Sequence, residues 1–345
     1  MKAFVVEKDL STSIREIPDP KIGDYSAKVK TLGCGICGSD AKILHGTLRG
    51  TPPDLYPLVM GHEAVGEVVE TGSKVTTFKI GDKVLCPYNL MIGDGIGSAW
   101  GAFAEYGTVF DIYAPGSEAL PARVREIGKR QSVLPDYVDP LEAIMIITLR
   151  ETAGAVKWFN IDANQSVALF GLGPVGLSFI QFMSAKGVKP IIALDVVEEK
   201  LELAKKMGAD CAINAVDPTH VERIKELCPG GLDHLVDAVG ITNLYNEAMS
   251  LLKENGQICA YGVPPNMSAT LDWSKNPHYN FLLNFYQMSD ASYEYWAHNQ
   301  IIALIREGVI KLGDYISAYY PFEEMIPVTE RFLNKEFEKK VIITF

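Results

Sequence analysis

The sequence predicts an α/β protein made of a β-rich part and a doubly wound parallel sheet with helices on both faces. Three observations predict it. Short apolar runs alternate with polar residues up to about Lys83, strands and helices alternate strictly after about Glu142, and a glycine turn at 171–176 joins the first such strand to its helix. Runs such as Ala27–Leu32 and Gly66–Thr71, punctuated by Gly and Pro, read as antiparallel strands. The segment Cys86–Gly107 is glycine-rich around Gly93, Gly95 and Gly97, and reads as a loop leading into a strand at Phe103–Tyr106. Loops of this kind often border an active site. Asp111–Gln131 has no assignable pattern.

From Glu142 onward the texture changes. Ala143–Ile147 and Thr152–Val156 read as helical, and Val167–Phe170 as a compact buried strand. Helices are then expected at Val175–Lys186, Glu198–Met207, Pro218–Leu227 and Leu244–Lys253, alternating with strands at Pro190–Leu194, Cys211–Ile213, His234–Ala238 and Gln257–Gly262. Right-handed βαβ units of this kind build a parallel sheet. A helix near Gln300–Glu307 and a strand at Lys340–Phe345 close the chain.

The 345 residues suffice for two domains, and 48% apolar residues can fill their cores. A net charge of -11 with no basic stripe argues against nucleic acid or an anionic membrane surface as partner. The first eight residues lack the pattern of a signal peptide or a membrane span, so a cytoplasmic location is expected. The six cysteines are too scattered for a disulfide framework and are expected to be reduced.

Two clusters carry chemistry. Cys37, in Gly35-Ile-Cys-Gly-Ser-Asp40, and His62 with Glu63, in Gly61-His-Glu63, are ligand types that catalytic zinc takes while keeping one position open. Gly171-Leu-Gly-Pro-Val-Gly176 follows a strand and opens a helix, as a dinucleotide-binding turn must. Gly171 makes the turn, Gly173 admits a pyrophosphate, Gly176 lets helix and strand pack, and Pro174 and Val175 begin the helix. Asp195 lies nineteen residues beyond Gly176, where a carboxylate binds ribose hydroxyls and repels a 2′-phosphate, which favours NAD over NADP. Lys200 is placed to support the same ribose. The aromatic residues Tyr279, Phe281, Phe285, Tyr286, Tyr293, Tyr295 and Trp296 read as core before pocket or subunit contact. His45, His220, His234, His278 and His298 read as structural.

Taken together, these motifs resemble those of the zinc-dependent medium-chain dehydrogenase/reductase family, with sorbitol and related sugar dehydrogenases similar in pattern. Further matches are Pro57 before Gly61-His62-Glu63, Gly81-Asp-Lys-Val84, Gly101-Ala-Phe-Ala-Glu-Tyr106 and Tyr261-Gly-Val-Pro-Pro265. The resemblance implies a GroES-like catalytic domain from residues 1–148 and 288–345, a Rossmann NAD-binding domain from 149–287, and an active site in the cleft between them. It implies zinc on Cys37 and His62, with Glu63 either a ligand or behind the ligands. Asp40 would orient the histidine, and Ser39 would relay the substrate proton. A homo-oligomer of two or four subunits is the family expectation.

The sequence departs from the family pattern in three places. No cysteine lies between Cys86 and Cys211, so the second, structural zinc of many relatives is not expected. The position of a further ligand in relatives falls on or beside Ile147, which cannot bind metal; Thr148 and Glu151 lie nearby. Where some members end the relay with histidine, this chain has Lys42. The implied reaction is reversible NAD-linked oxidation of a secondary alcohol, such as a polyol or sugar. The alternatives are a zinc-independent quinone or alkene reductase of the same superfamily and a non-catalytic NAD-binding protein.

Overall fold

The computed structural model describes residues 1–264 and 268–345. Pro265, the last residue of the motif that begins at Tyr261, lies outside the described residues. The chain divides into two compact units, Met1–Ile147 with Lys311–Phe345, and Thr148–Ile310. The return to the first unit therefore comes at Lys311 and not at 288. Its cause is the helix Ala291–Arg306, which packs within the second unit: a Cβ on Gly154 would stand 3.1 Å from Tyr293 Cβ, and Trp158 meets the Tyr293 ring edge-on at 5.7 Å.

The first unit is built on two sheets. One runs in the order Ile316–Pro321, Lys340–Thr344, Ser26–Ile36, Glu63–Thr71, Lys83–Leu85, with Tyr106–Phe110 also paired to Ser26–Ile36. Ser26–Ile36 is long enough to serve two partners in succession. Its first half pairs with Tyr106–Phe110, and its last residues pair with Lys340–Thr344. Ala27, Val29, Val68, Phe78, Val84 and Val109 fill one face of this sheet. The smaller sheet joins Thr12–Glu16, Lys2–Val6, Leu58–Val59 and Gly97–Ser98 over a core of Ala3, Val5, Ile17, Val59 and Ala104. The strand expected at Phe103–Tyr106 begins only at Tyr106. Phe103 instead uses its backbone N–H and C=O on Met60 and Phe4, which takes Phe103 out of the ladder.

In the second unit six strands lie parallel in the spatial order Cys211–Asn214, Ile191–Asp195, Val167–Phe170, Leu232–Asp237, Leu252–Ala260, Leu282–Phe285. Numbered along the chain this is 3-2-1-4-5-6, the order of a Rossmann sheet, whose ligand crevice opens where the order reverses. Val167–Phe170 is buried at every residue, as a central parallel strand must be. The two helical runs expected around 143–156 form one helix, Ile144–Trp158. The edge strand Leu282–Phe285, the strand Ile316–Pro321 and the helix Met325–Leu333 were not legible in the sequence. Asp111–Gln131 contains a 3-10 turn and the helix Ala122–Gly128. The aromatic group splits. Tyr286 is 5% exposed and packs with Trp158 and Phe159, whereas Tyr279, Phe285 and Tyr295 project into solvent and are not core. All six cysteines are free, and no helix among the described residues is long and apolar enough to cross a membrane.

Candidate functional site

Strand pairing brings the ligand-type residues together. Ser26–Ile36 runs antiparallel to Glu63–Thr71 with Gly35 opposite Glu63, so Cys37, just past the end of one strand, meets His62, just before the start of the other. Lys340–Thr344 pairs on the far side with Val341 opposite Ile36, which delivers Lys340 to the same end of the sheet. Two glycines make this possible. A Cβ on Gly35 would stand 2.9 Å from Glu63 Oε2 and 3.1 Å from Lys340 Cδ. Gly61 has φ 102 and lies against Phe103, where a Cβ would come within 2.6 Å of the ring.

Cys37 Sγ, a nitrogen of His62 and a carboxylate oxygen of Glu63 all lie within 4.8 Å of one another. Cys37 caps the short helix Gly38–Leu44, and Asp40 in that helix faces both ligands. The Cys37 N–H donates to Asp40 Oδ2 at 2.8 Å, and Asp40 Oδ1 stands 3.7 Å from His62 Nδ1. Asp40 Oδ1 and His62 Nδ1 are both buried without a hydrogen-bond partner, although they face each other. Ser39 Oγ lies 3.4 Å from the other ring nitrogen, Nε2. Burial alone would lower the His62 pKa, but Asp40 and Cys37 more than offset it and hold it well above the ordinary histidine range. A thiol, an imidazole and a carboxylate converging around a strongly cation-favouring point fit a zinc ion. A buried acid behind the imidazole is the companion such ligands normally have.

The residue that sequence reasoning missed is Lys340. Its ammonium donates to Glu63 Oε2 at 2.5 Å, with side chains 3% and 1% exposed. Burial would lower the Lys340 pKa, but the charges of Glu63 and Cys37 and the Glu63 hydrogen bond raise it overall, so the lysine stays charged. Glu63 therefore shares its carboxylate between the cluster and a buried cation. The sequence separation of 277 residues hid this pair; the only signal was a lysine opening an otherwise apolar terminal strand.

Ile147 is a buried apolar residue and contributes nothing to the cluster. Among the described residues the candidate metal group does not include Glu151, which acts electrostatically on Tyr286 within the second unit. Lys42 is half-buried, and burial lowers its pKa.

In the second unit Gly171 adopts φ 96 and packs on the segment that leaves the strand Leu232–Asp237, where a Cβ would come 2.4 Å from Val239 Cγ2. Gly176, in the first turn of the helix Pro174–Ala185, lies against the Gly171 backbone, where a Cβ would fall 1.8 Å from Gly171 O. Around a Cβ on Gly173 nothing stands within 4 Å. The turn is thus closed where it must pack and open where an anion would approach. Asp195 ends the strand Ile191–Asp195 and fastens the turn: Oδ2 accepts from Leu172 N at 2.7 Å, and Oδ1 accepts from Val196 N and Val197 N at 2.8 and 3.1 Å. Lys200 lies in the first turn of the following helix, Glu198–Lys206. Pro174 and Val175 occupy the first two positions of the helix that the turn opens.

Comparison with known proteins agrees with both units. Residues 23–113 match the alcohol dehydrogenase GroES-like domain, and residues 174–284 match the zinc-binding dehydrogenase domain. An alcohol dehydrogenase of Geobacillus stearothermophilus is 30% identical over 287 residues, 76% of this chain and 78% of its own. A sorbitol dehydrogenase of Bacillus subtilis (strain 168) is 29% identical over 268 residues, 76% of this chain and 75% of its own. Among solved structures, the alcohol dehydrogenase TADH from Thermus sp. ATN1 superposes with a TM-score of 0.79 at 26% identity, covering 100% of this chain and 99% of that one. With a GroES-like unit, a Rossmann unit and these relatives, the chain belongs to the zinc-dependent medium-chain dehydrogenase/reductase family.

Proposed function

We propose that this protein is a zinc-dependent oxidoreductase that catalyses the reversible NAD-linked oxidation of a secondary alcohol, with polyols and sugars as the substrate class. The observation that carries the reading is the convergence of Cys37, His62 and Glu63 within 4.8 Å, in a chain whose other unit holds an open glycine turn on a Rossmann sheet. In the net reaction the alcohol carbon gives a hydride to NAD and its hydroxyl gives a proton to solvent, leaving a ketone and NADH.

Cys37, His62 and Glu63 would hold the zinc, which when bound supplies Lewis acidity that lowers the pKa of an alcohol oxygen as it does that of water. Asp40 fixes the Cys37 backbone and faces the inner nitrogen of His62, so both ligands stay aimed at one point. Ser39, whose Oγ lies beside His62 Nε2, would take the substrate proton. Lys340 balances the Glu63 charge, so that the cluster does not carry two uncompensated anions. Gly173 leaves room for a pyrophosphate at the helix N-terminus, with Gly171, Pro174, Val175 and Gly176 shaping the turn. Asp195 would receive the adenosine ribose, supported by Lys200, and its carboxylate disfavours a 2′-phosphate. The first unit would thus be catalytic and the second would bind NAD, in a cytoplasmic protein assembled as a dimer or tetramer.

The test is Cys37→Ser with metal analysis. The variant should lose bound zinc and at least about a hundredfold in turnover, while NADH affinity stays at the wild-type level. Full alcohol oxidation by metal-free protein would refute the reading. A metal-free wild type that reduces quinones or activated alkenes would establish the zinc-independent alternative.

A further inference from the structure

The glycine-rich loop between Cys86 and Gly107 has no role in the chemistry above, yet its last turn comes back to the ligand cluster. Trp100 places its indole 5.0 Å from the His62 ring, centroid to centroid, at an interplanar angle of 45°. The Trp100 backbone has φ 64, a left-handed conformation that a bulky side chain adopts only when its surroundings impose it. The surroundings are visible. Asn89, 3% exposed, donates its N–H to Trp100 O at 2.8 Å and its side-chain amide to Gly101 O at 2.9 Å and Tyr106 O at 2.7 Å. Ser98 Oγ in turn donates to Asn89 O. Gly101 is left-handed as well, and a Cβ there would meet Asn89 O at 2.8 Å. Four hydrogen bonds and an adjoining glycine thus hold a strained tryptophan against a metal-ligand histidine.

Other groups already surround the rest of His62: Asp40 faces Nδ1, while Ser39 lies at Nε2 and Cys37 shares the cluster. Trp100 covers a ring flank. Its side chain is only partly buried, and among the described residues its indole N–H has no hydrogen-bond partner. An apolar ring beside the reacting position, with one free donor, is suited to a ligand that carries C–H faces and hydroxyl acceptors together.

We infer that Trp100 is a specificity-determining residue of the alcohol site, its indole packing on the carbon chain of a polyhydroxylated substrate and its N–H donating to a hydroxyl next to the reacting carbon. The inference rests on the dehydrogenase reading and deepens it. A plain alkyl alcohol of equal length gains the packing but not the hydrogen bond, so the residue discriminates between the two.

The experiment measures kcat/KM of the zinc-loaded enzyme for a polyol and for a plain secondary alcohol of equal chain length, in wild type, Trp100→Phe, Trp100→Tyr and Trp100→Ala. Trp100→Phe keeps a ring and loses the donor, so the polyol-to-alkyl ratio should fall about three- to tenfold, the size of one hydrogen bond. Trp100→Tyr should retain most of the ratio, and Trp100→Ala should lower it further. Zinc content and NADH affinity should stay within about twofold of wild type, because the indole is not a ligand to either. As a separate readout, Trp100→Gly should melt above Trp100→Ala, since only glycine relaxes at this φ. An active wild type whose ratio is unchanged in all three of these variants overturns the assignment alone. A wild type that binds zinc and NADH but oxidises neither alcohol overturns the dehydrogenase reading and this assignment with it.

Discussion

The buried pair between Glu63 and Lys340 makes a quantitative prediction. Lys340→Met keeps most of the lysine's volume and apolar stem but leaves the Glu63 carboxylate, 1% exposed, beside a methionine. Breaking a buried pair in this way costs about 3–5 kcal/mol, most of it the desolvation of the charge left behind. For a unit of this size each kcal/mol moves the melting midpoint by about 2–4 °C, so a fall of about 6–20 °C is expected in the transition of the first unit. Removing the other partner as well, in Lys340→Met with Glu63→Gln, takes away the stranded charge and should recover about half of the loss or more. The assay is calorimetry of both variants, with urea unfolding followed separately in each unit, because a two-unit chain need not unfold in one step. The pair is lost at high pH: a lysine whose folded pKa is raised contributes stability in full below its ordinary value, and that contribution disappears as pH rises through the folded pKa. The reasoning fails if Lys340→Met melts within about 2 °C of wild type, or if the double variant is less stable than the single one.

Two further predictions concern the second unit. Gly173→Ala should melt as wild type does, since no atom of the chain stands within 4 Å of the added Cβ, yet bind NADH about tenfold or more weakly. Gly176→Ala, whose Cβ would fall 1.8 Å from Gly171 O, should lose stability first; equal behaviour of the two variants would contradict the assigned roles. His220, the first residue of the helix His220–Leu227, reaches Glu247 of the helix Leu244–Leu251 at 2.9 Å and the Asp217 carbonyl just before its own helix at 2.7 Å. Burial lowers its pKa, but these partners raise it overall, so the bridge is fully formed below the ordinary histidine value and fades as pH rises through the elevated one. His220→Gln should therefore cost about 0.5–1 kcal/mol at pH 6 and almost nothing at pH 9. An equal loss at both values in urea titrations would count against the ion pair.

Local pattern was enough to determine much of this protein. The glycine turn, the strand before it and Asp195 after the next strand were readable because each is fixed by backbone geometry over a few residues. The Rossmann order followed because parallel strands joined by helices have few ways to connect. Cys37, Asp40, His62 and Glu63 could likewise be picked out, since each sits in a short segment of distinctive composition. Tertiary structure decided everything that rests on distant residues meeting. Lys340 reaches Glu63 across 277 positions because antiparallel pairing carries a terminal strand beside Ser26–Ile36, and nothing local to Lys340 encodes that neighbour. The helix Ala291–Arg306 joined the second unit because of what it packs on, not because of its own sequence. Trp100 looked like one residue of a glycine-rich loop. Only the hydrogen bonds from Asn89 and the strained backbone they impose turn its ring onto His62, and such strain is held by the assembled fold alone.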